Sequence, residues 1–137
     1  MIAAWAKDYI GIPYADRGRT RAGVDCYGLL YLVLSEQFGA PVPSYAESYA
    51  TAEDFAEVKA LIAGETRSRW RRIPEAAASS GDAIVLSMNG LPFHVGVVAD
   101  PETRAFLNVF RGTGVALERW TSARFRKRIE GFYRYAG

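Results

Sequence analysis

The stretch "CYGLLYLVLSEQF", residues 26 to 38, constrains the fold more than any other part of the chain. From Tyr27 to Phe38 the pattern predicts a helix that is apolar on nearly every side, with Leu29, Leu30, Leu32, Val33 and Leu34 in close succession. A helix of this kind cannot rest on a surface with one wet face; it requires protein around most of its circumference. Gly39 ends it, and Pro41 and Pro43 prevent its continuation. Asp25 stands at its start, where a carboxylate can accept from the unpaired N–H groups of the first turn. A chain of 137 residues, 50% hydrophobic and 13% aromatic, can supply the surrounding core as one domain over residues 1–137.

The remaining elements follow from periodicity. Ile2, Trp5, Ala6, Tyr9 and Ile10 recur at spacings of three and four, which predicts a short amphipathic helix stopped by Gly11 and Pro13. Residues 14–24, "YADRGRTRAGV", are polar and punctuated by glycine, so they read as a loop. Thr51 and Asp54, with the stripe Phe55, Val58, Leu61 and Ile62, predict a helix over residues 52–63. "RSRWRR" then interrupts with charge, and "EAAASSGD" reads as a turn or short helical piece. The second half is strand-like at 83–88, 94–98, 105–110, 114–120 and 130–136, divided by Asn-Gly, Asp-Pro and glycine-containing turns. Helices followed by strands indicate an α+β domain with an antiparallel sheet.

Composition excludes some functions. One cysteine and one histidine cannot form an internal disulfide or a structural zinc site, and no cofactor is expected. Seventeen basic against fifteen acidic residues give a formal +2, too small a balance to indicate nucleic-acid binding. No segment approaches the roughly 20 apolar residues of a membrane-spanning helix, so no membrane insertion is expected. The opening "MIAAWAKDYIGIP" lacks the pattern of a signal peptide, and the expectation is synthesis in the cytoplasm. The arginine-rich pieces at 67–72 and 124–128 read as solvated surface, with stems lying on aromatics such as Trp70 and Phe125.

The chemistry concentrates on Cys26. A thiol in the first turn of a helix lies beside unpaired N–H groups and the positive end of the helix dipole, which favour thiolate. Attack on an acyl carbon also needs a base that later protonates the leaving group, and His94, at the start of "HVGVVAD", is the side chain suited to both steps. The Cys26 N–H is the natural first donor to a developing oxyanion. Taken one at a time, a lone cysteine reads as a small buried hydrophobe and a lone histidine as a satisfied polar group.

Together, "GIPY", "VDCYGLLY", "SGDAIVL", "HVGVV", "FLNV" and the closing "EGFYRY" resemble the NlpC-type cell-wall peptidases, a papain-like family of cysteine peptidases. The resemblance implies a circularly permuted papain-like fold, with N-terminal helices packed on a five- or six-stranded antiparallel sheet. It also implies hydrolysis of an amide in peptidoglycan stem peptides, commonly the D-γ-glutamyl–diamino acid bond. Cys26 matches the nucleophile, His94 the base, and Asn108 the third polar residue, whose amide accepts the His94 N–H and holds its tautomer. Otherwise Asn108 is a strand asparagine with a local backbone hydrogen bond. Tyr14 matches a tyrosine near the active site, orienting substrate or lining the oxyanion site; it also reads as packing for the first helix. Asp25 matches the residue before the nucleophile, with capping and substrate-amine recognition as its expected roles. Tyr27 replaces the serine that often follows the nucleophile, and narrows the cleft in this reading. "DCYGL" is similar to the tail-associated peptidases of bacteriophages and phage-like particles, which implies tail-protein partners and delivery to the cell wall during DNA transfer. The alternatives are a catalytically weak docking module of such a tail and a thioester-forming acyltransferase.

Overall fold

The computed structural model describes residues 1–46, 70–88 and 91–136, with backbone alone over 91–93. The helix expected over 52–63 lies outside the described residues. Among them, one α-helix packs on an antiparallel sheet of six strands. The strands are β1 (Arg19–Thr20), β2 (Gly23–Val24), β3 (Trp70–Ile73), β4 (Ala83–Met88), β5 (Leu91–Asp100), β6 (Ala105–Asn108), β7 (Ala116–Arg119) and β8 (Ile129–Tyr135), and the helix is α1 (Cys26–Phe38). β1 and β2 pair with each other, with a bridge from Val24 to Tyr14 beside them, while the large sheet runs β3-β8-β4-β5-β6-β7.

Strand alternation divides the core into two layers. Val85, Val95, Val97, Ala99 and Leu107 share one cluster with Val24, Cys26, Leu29, Leu30 and Val33, so this face of the sheet lies beneath α1. Ile84, Leu86, Val98, Phe106 and Phe132 point the other way, into a second cluster closed by Trp120 and Phe125. A sheet covered on both faces explains why "AIVLSM" and "HVGVV" read as continuous apolar runs. Gly96 belongs to the same design: a Cβ there would lie 2.6 Å from the Leu107 carbonyl oxygen and 2.7 Å from the Phe106 ring.

α1 is the expected helix, starting one residue earlier at Cys26 and closing on Gly39 in the left-handed region at φ 60°. The N-terminal amphipathic helix is corrected to a single 3-10 turn, Ala6–Asp8. Ala6 and Tyr9 are buried as their spacing requires, but the Ala3 N–H is spent on the Ala99 carbonyl of the sheet and Gly11 follows at φ 93°. That leaves too few residues for cooperative helix growth. The segment 14–24 contains the β1–β2 hairpin, and "RSRWRR" ends in the edge strand β3, which buries Trp70 and Ile73 and exposes Arg71 and Arg72. Two-residue strands carry no periodicity, and charged side chains on a sheet edge hide its pairing from a sequence reading.

Candidate active site

Asp25 caps α1. Its Oδ1 accepts from the Gly28 N–H at 2.7 Å and from Arg19 Nη1 at 3.0 Å, and its Oδ2 accepts from the Arg17 N–H at 3.0 Å. The side chain has no exposed surface, and both oxygens are engaged within the protein. Capping is therefore the role the geometry gives it, and the expected recognition of a substrate amine finds no oxygen turned outward. The Gly18 carbonyl crosses directly over Gly28, where any Cβ would collide, so the glycine of "DCYG" lets the loop lie on the first helical turn.

Cys26 opens the helix with 6% of its surface exposed. The backbone amides of Val95 and Tyr27 act on its thiol in the direction that favours thiolate. Burial, followed by the Asp25 carboxylate, nevertheless pushes the thiol up to about 12 against the opposing help of these amides and Arg19. The resting group is a neutral thiol, which corrects the expectation of an ionised sulfur. The loss of solvation and the cap's own charge outweigh the first-turn N–H groups and the dipole.

The Val95 amide is available for a reason of register. Pairing between β5 and β6 begins at Val97↔Leu107, so the strand is open on that side at Val95. His94 is the preceding residue, 1% exposed, with Leu86 as its β4 partner. Its Nε2 lies 3.2 Å from Asn108 Oδ1, and its ring stacks on Phe110 at 4.3 Å and 13°. Burial, reinforced by the Arg124 charge, lowers its pKa to about 4 despite the Asn108 hydrogen bond. The ring is neutral at pH 7. Nδ1 is buried and makes no hydrogen bond, to the sulfur or to any other described group. The structure thus joins His94 to Asn108 directly; Cys26 shares the core with Val95 where α1 packs on β5, and makes no hydrogen bond to His94.

Asn108 is 1% exposed, and its side chain spans two partners rather than its own backbone: Oδ1 faces His94 and Nδ2 donates to Glu118 Oε2 at 2.9 Å. Tyr14 donates its hydroxyl to Asp16 Oδ1 at 3.0 Å, and Arg111 bonds the same oxygen at 2.8 Å with its guanidinium 5.0 Å from the Tyr14 ring. The Tyr14 pKa is raised, first by burial and then by its Asp16 hydrogen bond, with Asp25 and Cys26 also acting on it. The hydroxyl therefore shares the electrostatic surroundings of the thiol. Tyr27 is corrected from a cleft-narrowing residue to an anchor. It is buried, its hydroxyl donates to the Pro43 carbonyl at 2.8 Å, and its ring lies 5.9 Å from that of Tyr45.

Phe110, Glu118 and Arg124 were not among the expected site residues. Arg124 sits over the Phe110 ring at 4.7 Å and reaches Glu118 Oε1 at 3.4 Å. Glu118 lies two residues beyond Ala116, the register partner of Asn108, and so on the same face as Asn108. The β6–β7 pairing is the signal that finds it, and local sequence does not contain that pairing.

A capped helix that opens on a cysteine and packs against a strand whose histidine bonds an asparagine of the next strand defines an α+β domain. The chain belongs to the NlpC/P60 family, whose model matches residues 11–134. It is similar in fold to a lipoprotein-like NLP/P60-family protein from Staphylococcus aureus, with TM-score 0.62 and 21% identity over 95% of this chain. The match spans 38% of that protein's length. It is also similar to the NlpC/p60 domain of the peptidoglycan hydrolase SagA, with TM-score 0.57 and 20% identity over 95% of this chain and 92% of that one. No curated protein matches the chain.

Proposed function

We propose that the protein is a cysteine peptidase that hydrolyses an amide in peptidoglycan stem peptides, at the D-γ-glutamyl–diamino acid bond. The observation that carries this reading is the His94–Asn108 hydrogen bond, which leaves Nδ1 buried without a partner on the residue next to Val95, whose backbone amide acts on the Cys26 thiol. Family membership and the named activity of SagA support the same substrate class.

In this reading, Nδ1 of neutral His94 takes the Sγ proton as sulfur bonds to the acyl carbon and the carbonyl electrons move onto oxygen. The Cys26 N–H, a first-turn amide without an intrahelical acceptor, stabilises that oxyanion. Collapse breaks the C–N bond, and the leaving amine takes the proton from His94. Water, deprotonated by the same nitrogen, then cleaves the thioester to a carboxylate and restores the thiol. Asn108 keeps the ring oriented throughout. The order Cys26, His94, Asn108 along the chain supports a papain-like ancestry. "DCYGL" supports a place in a phage-like tail, where tail proteins would carry the domain to the wall.

Digestion of purified peptidoglycan by the wild type and Cys26→Ala, with mass spectrometry of released fragments, tests the proposal. The wild type releases stem fragments ending at the cleaved bond, and Cys26→Ala releases none. Equal release by both would remove Cys26 as nucleophile. Burial of the thiol favours a second reading, a docking module, which inactivity of both folded proteins would select.

A further inference from the structure

Five side chains, the imidazole among them, close a ring of contacts. His94 meets Asn108, Asn108 meets Glu118, Glu118 meets Arg124, Arg124 covers Phe110, and Phe110 stacks back on His94. The family resemblance accounts for His94 and Asn108 alone. We propose that Glu118 is a positioning residue for His94, setting the imidazole tautomer through the Asn108 amide; the catalytic part of this inference rests on the peptidase reading above.

The argument is one of donors and acceptors. An ionised carboxylate can only accept, so the Asn108 atom 2.9 Å from Glu118 Oε2 must be the NH2 group. A flipped amide would set its carbonyl oxygen against the carboxylate, two acceptors with no proton between them. With Nδ2 committed to Glu118, Oδ1 is the atom that faces His94, and it can only accept. Nε2 must then carry the ring proton, and a neutral imidazole with Nε2–H has a lone pair on Nδ1, the nitrogen that is buried and unpartnered. Without Glu118, nothing in this chain of contacts distinguishes the two amide orientations, and the flipped one would place the proton on Nδ1, where it cannot act as base. Glu118 lies at the rim, its side chain 29% exposed, and Arg124 holds its second oxygen. The anchor can therefore be changed without opening the core.

The chain has a single histidine, so nitrogen NMR of histidine-labelled protein reads this one ring directly. The wild type shows Nε2 protonated and Nδ1 bare. Glu118→Ala shifts the ring toward a mixture with the Nδ1–H form, and its peptidoglycan cleavage rate falls about ten- to a hundredfold, the worth of one charge-assisted hydrogen bond. Glu118→Gln retains an acceptor for Nδ2, and restores most of the tautomer and most of the rate. An unchanged tautomer in Glu118→Ala, with its fold verified by amide spectra, overturns the proposal. If the wild type released no fragments, the peptidase reading would fall, while the tautomer comparison would still decide the role of Glu118.

Discussion

The backbone amide of Val95 favours the thiolate of Cys26, and both residues lie in the core where α1 packs on β5, one residue past His94. β5 is open on one side there because β6 leaves it at this level. The thiol is buried and protonated at rest.

That thiol should be slow to alkylate. With its pKa pushed up to about 12, the thiolate fraction near neutral pH lies far below that of an ordinary cysteine. Iodoacetamide labelling of the folded protein, followed by mass spectrometry, is expected to run at least about a hundredfold slower than labelling in urea. Labelling at the unfolded rate would show that the sulfur is neither buried nor neutral. The linkage has a matching sign: above pH 9 the unfolded thiol loses its proton while the folded one keeps it, so this group's contribution to stability falls as pH rises.

Acid should act on stability through His94 in a defined window. Its folded pKa of about 4 lies below the ordinary 6.5, so between those values the unfolded chain binds a proton that the folded protein does not. The contribution is complete above 6.5 and is lost as pH falls from there toward 4, to a total on the order of 3–4 kcal/mol. Urea unfolding of wild type and His94→Gln across this range measures it. The stability difference between the two proteins should narrow with falling pH; a constant difference would contradict a buried neutral imidazole.

The pair beneath the helix start should be costly to break. Arg19 and Asp25 meet at 3.0 Å with side-chain exposures of 9% and 0%. Asp25→Ala removes the cap and takes from the buried Arg19 guanidinium a carboxylate partner, with an expected loss of about 3–5 kcal/mol. Replacing both residues, Asp25→Ala with Arg19→Met, should recover part of that loss by removing the buried charge. A single substitution costing under about 1 kcal/mol in urea unfolding would place the pair in solvent.

What was legible in the sequence was local. The apolar run from Tyr27 to Phe38, the Asp25 cap and the Gly39 stop specify α1 through contacts within a few residues of each other. The alternating and continuous apolar runs of the second half mark β4 to β8 in the same way, as does the 3-10 piece at Glu75–Ala77. β1 and β2 escaped because two-residue strands carry no periodicity, and β3 because its charged face hides a pairing with the distant β8. The N-terminal turn fell short of a helix because its amide at Ala3 bonds across the fold to Ala99.

The sequence by itself determined the chemical types at the site: one thiol at a helix start, one imidazole at a strand start, one strand amide. Tertiary structure decided their state and company. Whether Cys26 is ionised depends on how much water the completed fold removes from it, a sum over residues far apart in the chain. Whether His94 presents a bare nitrogen depends on Glu118, which reaches Asn108 only through the β6–β7 register. Solvation and register are properties of packed elements together, and no local stretch of residues encodes them.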